Sequence, residues 1–507
     1  MYKKFNINGP LLVKNTGLNF IGQVAPLFIA LLTVPFVIRG LGTERYGILS
    51  LAGVFFGIFY IMDLGLTKAT VQFVSSALGE QKEERIPFIV WTSLLSQLFL
   101  GILSGVVLYF SAPWLSEKIL KVPPELVREA RLSFVIISFF IPAIMASIML
   151  RGILEARQRF DLVNAVRIPQ QGLTYIMPLL GILLGVDLPG IILMILLPRI
   201  GGLIAHFYFC LSLFPSLKRV PKWDRIIFRS LISFGGWIAL GNIIIPFFIY
   251  LDRFMIGSLS SMTSVGYYSV AFDVVFRLQV FPTSFVLTLF PAFSSLKNDP
   301  QRLRSLYLKS LKFLLLVFGP VIFLLFLFAG ELFTIWLGAD LAVHVVPAFR
   351  FLVLSFFFSA LGQISAHLIN GIGRPDIPTK VFAVLLPVFA ALLWIFISRG
   401  DIVGAALARL IFEALKFLLL FCLAWRQVRM QANYFWRSHV LQNFFILGSV
   451  ITISFFLFQA AFVVHLGVAC CTMGLFLGYA WFFSLDREDK KIFFDAANSL
   501  LKFRRKS

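Results

Sequence analysis

We select ten charged side chains that lie in stretches otherwise apolar enough to cross a membrane. They are Lys14, Asp63, Lys68, Arg199, Asp273, Arg277, Arg350, Arg409, Glu413 and Lys416. A charged group at the centre of a bilayer costs about 2.5 to 3.5 kcal/mol on insertion scales, so it usually faces a partner or a water-filled cavity. Seven of the ten are basic and three are acidic. Pairing every acid leaves four cations, which predicts a cavity of positive potential and an anionic substrate.

The basic residues are candidates for substrate binding, and the acidic ones are candidates for coupling transport to a proton or sodium gradient. The substrate-binding candidates are Lys68, Arg277, Arg199, Arg409, Lys14 and Arg350, and the coupling candidates are Asp63, Asp273 and Glu413.

Structural ion pairs are the alternative role for several of these residues. Asp273 and Arg277 are spaced i, i+4 with the acid first, which is the favourable orientation for a pair on one helix. Arg409, Glu413 and Lys416 could pair in the same way, since they are spaced i, i+4 and i, i+3 on one face of another predicted helix. For this second group, a structural network and a substrate site are both consistent with the pattern.

The remaining cations differ in whether they lie near the end or near the middle of their predicted spans. Lys14 and Arg350 lie near the ends of their spans, where a long basic side chain can reach the headgroups. Lys68 follows Asp63 by five residues, which is about 140° round a continuous helix and too far for easy pairing. Arg199 is isolated near the middle of its span.

Other kinds of chemistry have no motif in the sequence. The five histidines lack the spacing of metal ligands, and neither a phosphate-binding glycine loop nor a nucleophile elbow is present. We therefore predict a protein that is not an enzyme, with no metal and no cofactor.

The elements that position these charges are predicted to be fourteen transmembrane helices. The chain of 507 residues is 59% hydrophobic and 14% charged, with a mean hydropathy of +0.91, which excludes a soluble protein. The apolar runs lack the alternation of barrel strands, so helices are expected. The predicted spans are residues 11–38, 47–78, 88–111, 130–154, 168–186, 190–214, 230–258, 265–295, 313–330, 347–371, 380–398, 403–424, 440–464 and 466–485.

The distribution of Lys and Arg predicts the orientation. With the N-terminus in the cytoplasm, the inner segments hold 30 of the 45 basic residues and the outer ones at most eight. Basic residues accumulate on the cytoplasmic side, so both termini are predicted to be cytoplasmic. The net charge of +21 is then explained by loops that attract anionic lipid headgroups, and no nucleic-acid partner is expected.

An internal repeat organises the predicted spans. Shifting residues 12–52 by 219 positions aligns seven identical residues, among them Gly47 with Gly266 and Ala52 with Ala271. The two copies are six spans apart and therefore cross the membrane in the same direction. We predict an N-terminal six-helix lobe at 1–214, a cytoplasmic linker at 215–229 and a C-terminal lobe at 230–424. Two further helices at 425–485 and a basic cytoplasmic tail at 486–507 complete the prediction.

Five short segments, at residues 39–47, 63–75, 251–257, 265–271 and 370–375, resemble the polysaccharide transporter, or Wzx-type flippase, family. This family belongs to the superfamily of multidrug and toxin extruders and lipid II flippases. The resemblance covers the first twelve predicted spans in order, and the predicted total of fourteen spans also matches the family.

The resemblance implies export of undecaprenyl-diphosphate-linked oligosaccharide across a bacterial inner membrane, through two six-helix lobes around a cationic cavity. Lys68 and Arg277 are the positions that it implies as contacts for the diphosphate or an acidic sugar. Lipid II flippases carry an arginine pair deep in the first span, where this chain has only Lys14 and Arg39 near the ends. That difference disfavours a peptidoglycan precursor.

Two other classes of function stay open from the sequence. An exporter of drugs or of another lipid precursor would share the fold, although an acidic cavity suits cationic drugs better. A membrane enzyme of polysaccharide assembly would need outer loops longer than those predicted here. The expected partners are the lipid-linked oligosaccharide, membrane lipids and the polysaccharide polymerase machinery.

Overall fold

The structure is a computed structural model that describes residues 28–59, 61–218, 223–430 and 462–479, together with positions 26, 442, 443, 448, 449 and 482. Helices and short turns make up all of these ranges, and none of them contains a strand. Helices satisfy their own backbone hydrogen bonds, as a lipid environment requires. The described helices are α1 (Phe28–Leu41), α2 (Thr43–Phe59), α3 (Leu66–Gly79), α4 (Ile86–Trp114), α5 (Val127–Ala156), α6 (Phe160–Leu183), α7 (Leu188–Leu213), α8 (Arg225–Leu259), α9 (Met262–Leu278), α10 (Val280–Ser295), α11 (Pro300–Leu327), α12 (Ala329–Leu337), α13 (Ala339–Gly371), α14 (Asp376–Gln427) and α15 (Phe462–Tyr479).

Seven stretches of the described chain are long and apolar enough to cross a membrane. They are Glu83–Ile119, Pro124–Ala156, Leu188–Leu213, Met262–Val286, Pro300–Leu327, Ala339–Gly371 and Asp376–Gln427. The prediction of an all-α, multi-pass membrane protein is confirmed. The total of fourteen spans stays a prediction, because Lys14, most of residues 440–464 and the tail at 486–507 lie outside the described residues.

Two predicted spans are broken where the sequence pattern indicated one helix. Residues 47–78 form α2 and α3, separated by a short 3-10 turn, Ile61–Asp63, and by Leu64 and Gly65, which both have positive φ. Residues 265–295 form α9 and α10, which meet at Gln279. In the other direction, the long helix α14 joins two predicted spans across a non-helical kink at Gly400 and Asp401.

A second difference concerns the predicted loop between the spans 130–154 and 168–186. Helix α5 continues to Ala156 and α6 begins at Phe160, so only three residues lie between them. Arg151 and Arg167 are therefore on helices. Arg167 lay outside the predicted spans because it was assigned to the loop before the apolar run, whereas Arg151 already fell within the span 130–154.

The chain divides into two compact units. Unit 1 comprises residues up to Ser269 together with Ile397–Ile402, and unit 2 comprises Val270–Phe396 and the chain from Val403 onward. Helix α8 packs against α2, α3 and α4 within unit 1. The six-helix lobes predicted from the repeat stay a prediction.

The internal repeat has a structural counterpart inside unit 1. Helices α2 and α9 begin at Thr43 and Met262, which are the same 219 residues apart. A side chain on Gly47 would place its Cβ 2.0 Å from the Met262 carbonyl oxygen, and one on Gly266 would lie 2.4 Å from the Thr43 carbonyl oxygen. Each of the two glycines therefore packs against the backbone at the start of the other helix. The contact is reciprocal, which supports the repeat.

Alanine at either glycine is expected to destabilise the protein. The added Cβ would meet backbone rather than a movable side chain, and overpacking of this kind typically costs about 1 to 3 kcal/mol. We expect Gly47→Ala and Gly266→Ala each to lower the midpoint of thermal unfolding of the purified protein in detergent. Gly53→Ala, on the exposed side of α2 with open space around it, is the control. Equal midpoints for all three variants would contradict the close contact.

Candidate functional site

Helix α3 has a polar, exposed face. Lys68, Gln72, Ser75 and Ser76 are exposed and lie within an arc of about 100°. The opposite side, which includes Leu66, packs against α4, α5 and α8. Lys68 precedes the end of α3 at Gly79 by eleven residues, or about 16 Å along the helix. A polar face at that depth is costly against lipid and is typical of a helix that lines water.

Asp63 fixes the start of α3. Its buried carboxylate accepts hydrogen bonds from the Thr67 backbone N–H at 3.1 Å and from Thr67 Oγ1 at 2.5 Å, and from Gln97 Nε2 of α4. Asp63 therefore precedes the helix that carries Lys68, and the 140° separation expected on a continuous helix does not apply. The carboxylate holds the break in place and sets Lys68 at the first turn of α3.

In unit 2, a polar column joins the α9–α10 break to α13. Gln363 Nε2 donates to Gln279 Oε1 at 2.7 Å, and Gln279 Nε2 donates to Ser359 Oγ at 3.4 Å. Thr283 Oγ1 donates to Gln363 Oε1 at 3.2 Å. Ser359, Gln363 and His367 follow each other at i, i+4 on the partly exposed stripe of a helix that is buried on most of its surface. Amide and hydroxyl groups in this arrangement suit hydrogen bonding to a hydroxyl-rich ligand.

Arg277 lies in the last turn of α9, two residues before Gln279. Its side chain is partly exposed, as is that of Asp273 one turn earlier. The predicted site residue therefore lies close in sequence to the polar column, just before α9 ends and α10 begins.

Of the three charged residues in the second half of α14, Arg409 and Glu413 are buried and Lys416 is partly exposed. Lys416 Nζ lies 2.5 Å from Glu413 Oε2, and the Arg409 guanidinium stacks over the rings of Phe272 at 4.8 Å and Phe389 at 5.4 Å. The ion pair and the ring contacts give these residues a structural role in unit 2. Their role in binding or coupling stays a prediction.

Arg199 and Arg350 are held in different ways. Arg199 is partly exposed on α7 and interacts electrostatically with Tyr175 of α6. Arg350 Nε donates to the Phe326 carbonyl at 3.2 Å, near the end of α11. A cation there complements the C-terminal end of a helix, which is a stabilising contact.

Sequence reasoning missed a buried acid and base in unit 1. Asp252 and Arg253 are 0% and 6% exposed, and Tyr268 Oη donates to Asp252 Oδ2 at 2.5 Å. This bond joins two of the short segments, 251–257 and 265–271, that carry the family resemblance. The signal was available, since both charges fall inside the predicted span 230–258.

In the described part of the chain, no three His, Cys, Asp or Glu side chains are grouped so that they could hold a metal ion. The chemistry that these side chains offer is binding, by cations on α3, α7 and α9 and by neutral polar groups on α10 and α13.

Comparison with known proteins gives a family and a fold. Residues 36–346 match the family described as "Polysaccharide biosynthesis protein". A Shigella flexneri protein named "Putative O-antigen transporter" is 26% identical over 431 residues, which is 83% of this chain and 99% of that protein.

Two solved structures with the same fold are a multidrug resistance MATE family transporter of the MOP superfamily, in an inward-facing conformation, and the lipid II flippase MurJ, in an inward closed conformation. Each has a TM-score of 0.68 and 16% sequence identity. The first comparison covers 81% of this chain and 98% of the transporter, and the second covers 92% of this chain and 99% of MurJ. These likenesses establish the fold.

Proposed function

This chain belongs to the polysaccharide biosynthesis protein family, and from that premise we propose that it is a flippase for undecaprenyl-diphosphate-linked oligosaccharide. It moves the repeat unit of a polysaccharide from the inner to the outer leaflet of the bacterial cytoplasmic membrane. Transport proceeds by alternating access through a cationic cavity, and the protein performs no covalent chemistry.

The observation that carries the proposal is the exposed polar face of α3 with Lys68 on it. A carrier for drugs needs an apolar or acidic surface, whereas a lysine flanked by Gln72 and Ser75 suits a phosphate next to sugar hydroxyls. The relative from Shigella is named as a putative O-antigen transporter. A lipid-linked O-antigen unit would offer a phosphate to the lysine and sugar hydroxyls to the neutral polar side chains.

The remaining candidates divide into groups for the diphosphate and groups for the glycan. Lys68, Arg277 and Arg199 supply positive charge at partly or fully exposed positions, and they bind the diphosphate or acidic sugars. The polar column of Gln279 and Gln363 binds neutral sugar hydroxyls. Lys14, Arg350 and Arg409 add to the positive potential, and Asp63, Asp273 and Glu413 are the groups through which an ion gradient would act.

The test is to identify what accumulates when the protein is removed from its cell. We expect lipid-linked repeat units on the inner leaflet, detected by mass spectrometry of lipid extracts and by their protection from a glycan-modifying enzyme added outside. Repeat units that reach the outer leaflet but stay unpolymerised would instead indicate an enzyme of polymerisation. Unchanged lipid-linked glycans together with increased drug sensitivity would indicate a drug exporter.

Orientation is tested by labelling single cysteines in spheroplasts. In a background that lacks the four native cysteines, we expect Glu80→Cys and Lys297→Cys to resist an impermeant thiol reagent, because the excess of Lys and Arg places these segments inside. Thr263→Cys and Glu44→Cys should react. Reaction at positions 80 and 297 but not at 44 and 263 would show that the predicted orientation, and the direction of transport inferred from it, are wrong.

A further inference from the structure

The inward side of helix α6 is polar from Asn164 to Tyr175, which is half the length of the helix. The six residues Asn164, Arg167, Gln170, Gln171, Thr174 and Tyr175 fall within an arc of about 140°. On the opposite side of the helix, Ala165, Pro169, Leu180 and Leu183 are exposed. The exposed apolar side suits lipid, so the polar side is directed into unit 1.

Two arginines and one carboxylate meet near the N-terminal end of this face, which the distribution of Lys and Arg predicts to be cytoplasmic. Arg151 and Glu155 form an i, i+4 ion pair on α5, with Nε and Oε1 3.2 Å apart. Arg167 of α6 interacts electrostatically with both Arg151 and Glu155. The three groups together have a net charge of +1. The neighbouring ion pairs of Arg157 with Glu83 and of Arg159 with Asp161 are separate from this cluster.

At the other end of the polar face, α6 meets α7 beside a third arginine. Gln170 packs against Gly202, where a Cβ would lie 2.6 Å from Gln170 Nε2. Tyr175 interacts electrostatically with Arg199. Arg167 and Tyr175 are eight residues apart, or about 12 Å along the helix.

We propose that Arg151 and Arg167 form the first binding site for the diphosphate of the carrier lipid, and that the polar face of α6 leads the attached sugars from there to Arg199. The inference rests on the proposed function and adds Arg151 and Arg167, which are not among the substrate-binding candidates found from the sequence. Two guanidiniums beside one carboxylate leave positive charge for a diphosphate, and their planar donors match its oxygens. Gln171 and Thr174 offer the amide and hydroxyl groups that sugars bind.

The experiment measures lipid binding by the full-length protein in detergent. The probes are undecaprenyl diphosphate, undecaprenyl monophosphate and phosphatidylglycerol, each titrated and detected by native mass spectrometry. We expect Arg151→Ala and Arg167→Ala each to weaken binding of the diphosphate by about 10- to 100-fold, the effect of losing a hydrogen bond to a charged group. Binding of the monophosphate should weaken less, and Arg167→Lys should lie between Arg167→Ala and the unchanged protein.

Arg159→Ala is the matched control, because this arginine lies at the same end of the unit but is paired with Asp161 at 2.8 Å. It should bind the diphosphate as the unchanged protein does. If phosphatidylglycerol loses affinity as much as the diphosphate does, the cluster is a general headgroup site and the proposal is wrong. Unchanged diphosphate binding by the two alanine variants also overturns it, while the flippase function stands. If the unchanged protein does not prefer the diphosphate, and its removal leaves lipid-linked glycans unaltered, the proposed function fails as well.

Discussion

Replacing Lys68 with alanine is expected to abolish glycan export while the protein remains folded. Lys68 is exposed and lies about 16 Å along α3 from its end, so an anion can approach its side chain. Loss of a charge-assisted contact costs about 1.5 to 3 kcal/mol. The cost rises where water is scarce, because charges interact more strongly at low dielectric constant. We therefore expect the export rate to fall by about 100-fold or more.

The measurement is the amount of surface polysaccharide, set against the amount of protein in the membrane and its unfolding midpoint. Lys82→Ala is the control, since this exposed lysine follows the same helix and pairs with Glu80 at 2.7 Å. Lys68→Arg keeps the charge and should retain a measurable part of the export. If Lys68→Ala exports as well as Lys82→Ala does, the α3 face is not the substrate path.

The sequence was sufficient to predict an all-α membrane protein and most of the charges within its helices, because both are strong signals. Each predicted span depends on some twenty apolar residues, and a lysine such as Lys68 stands out against them. The break before α3 was not predicted. It arises from Leu64 and Gly65 in positive φ and from the hydrogen bond between Asp63 and Thr67, and these local features do not change the average hydropathy of the stretch.

Contacts between neutral polar side chains could not be predicted from the sequence either. Gln279 and Gln363 are 84 residues apart, and only the fold brings their amides together. Arg167 was misplaced for a different reason. The predicted span was taken to begin after this charge, at residue 168, whereas helix α6 begins at Phe160. The candidate site could therefore be predicted as a set of cations, but the neutral groups that accompany them could not.

Replacing Arg277 is expected to reduce export as much as replacing Lys68 does. The effect should depend on the shape of the cationic group as well as on its charge. Arg277→Ala should reduce export by about 100-fold, and Arg277→Lys should restore it only in part, because a guanidinium can bind two phosphate oxygens at once whereas an ammonium is a point charge. Arg302→Ala is the control. Its side chain is 78% exposed and pairs with Asp299 at the start of α11, so export should be unchanged.

Variants of Asp273 test whether Arg277 binds substrate or only forms a structural ion pair with Asp273. If Arg277 only neutralised Asp273, removing either partner would lower the unfolding midpoint by a similar amount, and Arg277→Lys would restore export fully because it preserves the charge. A substrate contact predicts instead that Arg277→Ala keeps its unfolding free energy within about 1 kcal/mol of the unchanged protein, the usual contribution of an exposed pair, while export is lost. Equal destabilisation by Arg277→Ala and Asp273→Asn, with full export by Arg277→Lys, would therefore assign Arg277 to the stability of α9 and leave Lys68 as the principal anion contact.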